Sequence, residues 1–151
     1  MNFLFTSLFA FITYLPVSGD DFELPKTWTK DFRIDGYEGG GMRNDSESFL
    51  FTYDSSIFIE RTGEAKKKIA FVLTAGQRAE ILAKLEELKV GSIKTQPVST
   101  LELDAPTSRL CFEIVESHCI SETELPAKDR GNYFSAYAFL LQFAKQKGNI
   151  K

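Results

Sequence analysis

The stretch ESFLFTYDSSIFIER, residues 47 to 61, decides the fold class of this chain. In its first half, aromatic residues lie at every second position: Phe49, Phe51 and Tyr53. Such alternation is typical of a strand with one buried face. The turn-forming pair Asp54 and Ser55 then precedes an apolar run that includes Ile57 and Ile59. Two strands joined by a short turn predict a β-hairpin, and therefore an antiparallel sheet.

The segments on either side of this hairpin have the same period of two. Phe32 and Ile34 predict a strand before it, and Ile69 and Phe71 predict a strand after it. The basic run from Lys66 to Lys68 precedes the last of these strands, and we expect it to be a solvated strand end. The first half of the chain thus predicts four sequential strands.

The period then changes to that of a helix. Thr74 is followed three residues later by Gln77, which is the spacing of a capping box, and an apolar stripe continues between charged residues. Gly91 is placed to end this helix in a left-handed cap. A second helix is predicted over residues 132 to 147, ended by Gly148.

The region between the two helices contains the remaining strands. Residues 92 to 107 are rich in Pro, Ser and Thr, which predicts an irregular connection with a short strand at residues 101 to 103. Leu110 begins a second hairpin, which we expect to turn near Glu116. The order of elements predicts an α+β fold: an antiparallel sheet built from hairpins, with two helices packed on one face.

Three consecutive glycines, Gly39 to Gly41, lie between the first two predicted strands. A glycine loop that binds phosphate joins a strand to a helix, whose N-terminal N–H groups face the anion. Here neither a helix nor the Gly-Lys-Ser/Thr sequence follows. We therefore interpret the glycines as a turn that needs positive backbone angles, with a ligand-contacting loop as the alternative.

The two cysteines, Cys111 and Cys119, allow a test of strand register. Paired residues in an antiparallel hairpin have a constant sum of residue numbers. A sum of 230 places Leu110 opposite Ile120 on a buried face, and it sets the cysteines opposite each other at a distance compatible with a disulfide. A sum of 233 gives a tighter turn but puts the cysteines on opposite faces. We predict the bonded register, with two free thiols as the alternative.

His118 is the single histidine of the chain, which excludes sites built on two or three histidines. We expect it at the surface near the hairpin turn and not in a nucleophile pair, because Cys111 would approach it only diagonally. The chain contains no nucleophile elbow, calcium loop or zinc-protease motif. We therefore assign no catalytic residue, no metal site and no cofactor, although a pair of carboxylates brought together by folding remains an alternative.

The second predicted helix is unusually aromatic over residues 132 to 146. Two interpretations remain open. The helix lies within the core and is covered on several sides, or its outer aromatic residues form a surface for a partner. On the second interpretation, Tyr133 and Tyr137, four residues apart, are the predicted partner-binding residues.

The N-terminus predicts export. An uncharged run from Phe3 to Leu15 is followed by Pro16 and then by small residues up to Gly19, although no Lys or Arg precedes the run. We interpret residues 1 to 19 as a signal peptide and residues 20 to 151 as a single α+β domain. The expected location is secreted or periplasmic, with no stable membrane anchor after cleavage.

The composition narrows the classes of function. The formal net charge is −3, with 18 basic and 21 acidic residues, which argues against a nucleic-acid partner. We expect a non-enzymatic binding module of the inhibitor, immunity or accessory type, whose partner is another protein. The alternatives are a small extracytoplasmic hydrolase that uses carboxylates and a structural envelope protein that self-associates.

Overall fold

A computed structural model of the chain describes residues 22–40, 45–96 and 107–148. These residues form an antiparallel sheet and two α-helices, so the predicted α+β fold is confirmed. The strands are β1 (Arg33–Gly39), β2 (Ser46–Phe51), β3 (Ser56–Thr62), β4 (Ala65–Phe71), β5 (Thr107–Glu113) and β6 (Ser117–Ser121). The helices are α1 (Ala75–Glu87) and α2 (Arg130–Gly148), with short 3₁₀ turns at Val90–Ser92 and Glu122–Glu124.

The sheet contains six strands in the order β4-β3-β2-β1-β5-β6. The first four strands form a meander, because each pairs with the next along the chain. After α1, the chain returns to the free side of β1, so that Ile34 is paired with Phe51 on β2 and with Phe112 on β5. The first strand of the chain therefore lies in the interior of the sheet.

Alternation along the strands divides their side chains between two faces. One face packs against both helices and forms the hydrophobic core. The strands, helices and loops all contribute to this core. Its largest fully buried side chains are Tyr133, Phe32, Phe51, Phe112, Ile34, Leu73, Ile81, Leu85, Leu110, Ile120, Leu140 and Val90. Aromatic contacts join the layers, because the Phe49 ring lies 5.9 Å from Tyr137 and the Phe51 ring lies 6.2 Å from Phe143.

Helix α1 begins at the predicted capping box. The N–H of Gln77 donates to Thr74 Oγ1 at 3.2 Å, and the N–H of Thr74 donates to Gln77 Oε1 at 3.0 Å. These reciprocal bonds satisfy backbone donors that have no partner within the helix. The buried stripe of the helix consists of Ile81, Leu82 and Leu85, which confirms the predicted helical face.

The prediction for the end of α1 is wrong. The helix ends at Glu87, and Lys89, not Gly91, takes the left-handed conformation, with φ 52°. Gly91 has a different role, because a Cβ at this position would overlap the backbone carbonyl of Phe22. The glycine therefore provides room for the N-terminal segment to cross the 3₁₀ turn.

Gly39 is the last residue of β1 and Gly40 follows it, so these glycines lie between two paired strands, as predicted. Gly39 is paired with Ser46 at the end of the β1–β2 ladder, and Gly40 has a φ of 109°, which favours glycine. The predicted need for a positive backbone angle is thus confirmed for Gly40, whereas Gly39 is a paired residue of β1 without a positive φ. Gly41 lies outside the described residues.

The basic run Lys66 to Lys68 is exposed and lies in the first half of β4, which begins one residue before it. The predicted strand at residues 101 to 103 and the predicted signal peptide, residues 1 to 19, lie outside the described residues. Within the described ranges, neither α-helix is long and apolar enough to cross a membrane.

Candidate functional site

The β5–β6 hairpin has the predicted register. Leu110 is paired with Ile120, and Cys111 is paired with Cys119, to which it is joined by a disulfide. Because adjacent strand residues alternate between faces, the disulfide lies on the side of the sheet away from the helices. The prediction of a bonded cysteine pair is confirmed.

His118 lies near the hairpin turn, as predicted, but it is half-buried and not fully exposed at the surface. It is paired with Phe112 on the helix side of the sheet, and its ring stacks on that of Phe22 with centroids 4.9 Å apart. Burial lowers the pKa of the imidazole from its ordinary value of 6.5. The predicted register, with a sum of 230, also pairs Phe112 with His118, and this pairing places the imidazole on the helix side of the sheet.

Tyr133 and Tyr137 are buried beneath α2 and do not face outward. Tyr133 Oη donates to Ser108 Oγ at 3.0 Å, and Ser108 in turn donates from N and Oγ to the carboxylate of Glu122. Burial raises the pKa of Tyr133 to about 12, and it raises the pKa of Tyr137 further. The premise that both rings lie on an outer face is wrong, and their contact with a partner remains an untested prediction.

The aromatic residues of α2 lie mostly on its inner side, and small or polar residues occupy its outer side. Its exposed positions include Ser135, Ala138 and Gln142, which are small or polar. Most of the aromatic residues face the sheet or α1, so the helix has an ordinary amphipathic arrangement. Phe134, which is 41% exposed, is the large apolar side chain that α2 presents to solvent within the described part of the chain.

The second face of the sheet is covered by neither helix. We call it the open face, and its outward positions on β1 to β5 that carry large side chains are Arg33, Asp35, Tyr37, Leu50, Ile57, Ile59, Arg61, Lys66, Lys68, Arg109 and Glu113. These residues alternate along each strand with residues of the core. A flat sheet face of this kind is available to a binding partner unless another element of the protein covers it.

The centre of the open face is apolar. Tyr37, Leu50, Ile57 and Ile59 lie on three adjacent strands and line a shallow hollow of about 410 Å³. Tyr37 is 40% exposed, whereas the aliphatic side chains are half-buried. We call these four residues the apolar centre. Aromatic side chains next to aliphatic ones are typical of protein interfaces.

Two ion pairs border the apolar centre on the side of β5. Arg33 binds both carboxylate oxygens of Glu113, with N–O distances of 2.7 and 2.9 Å. Arg109 Nη2 lies 4.0 Å from Asp35 Oδ2. Burial raises the pKa of Asp35, and the neighbouring Glu113 raises it further, whereas Arg109 and Arg33 oppose the shift. The charges on this side thus have partners within the sheet.

The opposite side of the open face is basic. Arg61 on β3 is directly opposite Lys66 on β4, and Lys68 lies on the same face two residues further along. We call these three residues the basic corner. Arg61 and Lys66 line a second hollow of about 260 Å³, which shares Tyr37 and Ile59 with the apolar centre. The two hollows therefore form one continuous surface.

Two larger hollows lie elsewhere, on either side of the N-terminal segment. One, of about 740 Å³, is bounded by Phe22, the tip of the β5–β6 hairpin and His118. The other, of about 840 Å³, lies between residues 22–26 and α1. Both are lined in part by Phe22, which is the first described residue.

The open face contains two carboxylates, both near β5. Asp35 and Glu113 line the same hollow, but both oxygens of Glu113 are occupied by Arg33, which leaves this carboxylate poorly placed to exchange protons with a substrate. Among the described residues, no group of three or more His, Cys, Asp or Glu side chains could hold a metal ion.

The open face was missed in the sequence, although a signal was present. Leu50, Ile57 and Ile59 alternate with Phe49, Phe51 and Phe58, so β2 and β3 are apolar on both sides. A strand that borders solvent on one side normally carries polar residues there. Apolar residues in both registers of one hairpin therefore indicate a sheet with apolar side chains on both faces.

Comparison with known proteins identifies no family for this chain. The chain matches no protein-family model, and the search of curated proteins gives no significant match. Any assignment of function therefore comes from the residues and the fold.

Proposed function

We propose that this protein is an exported, non-enzymatic binding module that contacts another protein through the open face of its sheet. The observation that supports the proposal is the apolar centre, a cluster of large apolar side chains on the sheet face that neither helix covers. Burial of such side chains by a partner is favourable at about 25 cal/mol per Å² of apolar surface. Inhibitor, immunity and accessory proteins all act by such surface contact.

Export is supported by two independent features. The N-terminal 19 residues have the order of a signal peptide, and the Cys111–Cys119 disulfide is of a kind that persists in oxidising compartments. We propose a secreted or periplasmic location on these grounds. Mass spectrometry of the protein from its host's envelope and medium tests it, because processing after Gly19 would give an N-terminal Asp20.

The binding role is tested by capture with variants of the open face. The full chain, expressed for export, serves as bait for the extracytoplasmic proteins of its host. Ile57→Thr combined with Ile59→Thr removes apolar surface but keeps β-branched side chains, which strands favour. We expect wild-type protein to retain one partner at a stoichiometry of one to one and the double variant to lose it.

A matched control lies on the other side of the molecule. Phe134→Ala removes the exposed aromatic ring of α2 and should leave the captured partner unchanged. Loss of the partner in this variant, with retention in the Ile57/Ile59 variant, would move the site to α2, next to Tyr133 and Tyr137. Absence of any partner from the wild-type bait would count against a binding module.

A further inference from the structure

The basic corner has an arrangement that is unfavourable for the isolated protein. Arg61 and Lys66 are cross-strand neighbours, and like charges directly opposite each other destabilise a sheet. Neither forms an ion pair with a described residue. Asp45 lines the same hollow, but its Oδ1 accepts a hydrogen bond from the Gly63 N–H at 3.0 Å and offsets only part of the charge.

Protection of the sheet edge explains only two of the three residues of the basic corner. β4 is an edge strand, and lysines on an edge strand discourage pairing with another sheet. This explains Lys66 and Lys68. It does not explain Arg61, because β3 is flanked by β2 and β4 and has no free edge.

The charges of the open face are also unevenly distributed. The face has five basic side chains and two acidic ones, although the chain as a whole has a formal charge of −3. Both acidic side chains, Asp35 and Glu113, pair with arginines near β5. The excess positive charge is therefore concentrated at the basic corner, on the far side of the apolar centre.

The size of the face limits the affinity that apolar contact alone can supply. Six strands at about 4.8 Å spacing and roughly seven residues in length give a face of roughly 670 Å². Stable interfaces bury about 800 Å² on each partner. A complementary charge on the partner would increase the association rate and fix the orientation of the complex.

We propose that the partner of the open face is an acidic protein whose carboxylates meet Arg61, Lys66 and Lys68 while its apolar side chains cover Tyr37 and Ile59. This inference rests on the proposed function and specifies its partner. A second copy of this chain is a poor occupant, because two such faces would each bring an excess of positive charge. Three basic residues are also few for a nucleic-acid backbone, which proteins contact with a broad basic surface.

The test uses poly-L-glutamate of about 20 residues as a model acidic polypeptide. It is titrated into the full chain, expressed for export and labelled with ¹⁵N, and amide shifts identify the residues that respond. We expect the shifts to cluster on β3 and β4 around the basic corner. Arg61→Gln with Lys66→Gln should weaken binding about tenfold, and raising the salt concentration should weaken binding to wild type.

The control variant is Lys30→Gln with Lys128→Gln, which removes the same charge from exposed sites outside the sheet. It should bind poly-L-glutamate within about twofold of wild type. Equal losses in the two variants, or shifts away from the basic corner, would overturn the inference. Tighter binding of heparin, or of vesicles of phosphatidylglycerol and phosphatidylcholine, at the same corner would overturn it in favour of a sulfated polysaccharide or an anionic membrane.

Failure of this inference can be told apart from failure of the proposed function. If the captured partner is lost in the Ile57/Ile59 variant but retained by Arg61→Gln with Lys66→Gln, the open face binds protein without the basic corner. If neither variant loses the partner, the open face is not the contact surface, and both proposals fail.

Discussion

The ring of Phe49 on β2 lies directly over Gly36 on β1, its cross-strand partner. A Cβ at Gly36 would overlap three atoms of this ring. On its other side, Gly36 is paired with Leu110 on β5. The glycine thus leaves the space in which Phe49 reaches across the core toward Tyr137.

Gly36→Ala should destabilise the protein by about 1–3 kcal/mol, because the added methyl group forces Phe49 out of its site. Urea unfolding monitored by circular dichroism gives this free energy. Combining Gly36→Ala with Phe49→Leu makes room for the methyl group, so the double variant should lose less than the sum of the two single losses. Additive losses would show that the two side chains do not compete for the same space.

Loss of the disulfide should cost about 2 kcal/mol, because the bond closes only a short loop. Cys111→Ala with Cys119→Ala removes it without leaving a free thiol. Since β6 is an edge strand held by β5 alone, hydrogen exchange should increase mainly in β6. Uniformly faster exchange over the whole sheet would contradict this local role.

The free energy of unfolding should fall when the pH drops below 6.5, because of His118. Burial lowers the pKa of this group in the folded protein, so the unfolded chain takes up the proton first on acidification. The stabilising contribution of His118 is complete above pH 6.5 and is lost as the pH falls through the pKa of this group in the folded protein. The ring is only half-buried, so solvent screening keeps the loss below about 1 kcal/mol.

Urea unfolding at pH 7.5 and pH 5.5 measures this effect in wild type and in His118→Phe. The variant keeps a ring against Phe22 but has no group that titrates near neutral pH, so its free energy should change less between the two conditions. Glu23, Lys94 and Glu116 line the adjacent hollow and are present in both proteins. An equal change in both would assign the pH dependence to other groups.

Lys66→Glu should increase stability by about 0.5 kcal/mol at low salt, because it places a carboxylate directly opposite Arg61. The gain should shrink in 1 M NaCl. Lys67→Glu is the matched control, since residue 67 is paired with Glu60 on the other face of the sheet and the substitution creates a like-charge pair. It should lower stability, and a change of the same sign in both variants would contradict the pairing.

Local patterns predicted much of this fold. The capping box of α1, the 47–61 hairpin and the register of the cysteines each depend on residues close together in the chain. The end of α1 was predicted wrongly: Lys89 takes the left-handed conformation, and Gly91 instead makes room for Phe22, which is distant in sequence and crosses there. A local pattern contains no information about such a crossing.

The candidate site was harder to predict for the same reason. Tyr133 and Tyr137 form a conspicuous pair on one helix, but the direction of a helix face depends on what packs against it. The open face, by contrast, is assembled from side chains on five strands, and β5 reaches its place beside β1 only through a long-range connection. Its residues become neighbours once the strand order is known.

The position of β1 between β2 and β5 has a consequence for the order in which the sheet assembles. β2 follows β1 closely, whereas β5 arrives only after three further strands and a helix. Until then, one side of β1 exposes unpaired N–H and C=O groups. Long-range pairing of this kind slows folding, and during that interval the strand can accept β5 from a second molecule. Strand exchange at β1 is therefore one route by which this chain would misassemble.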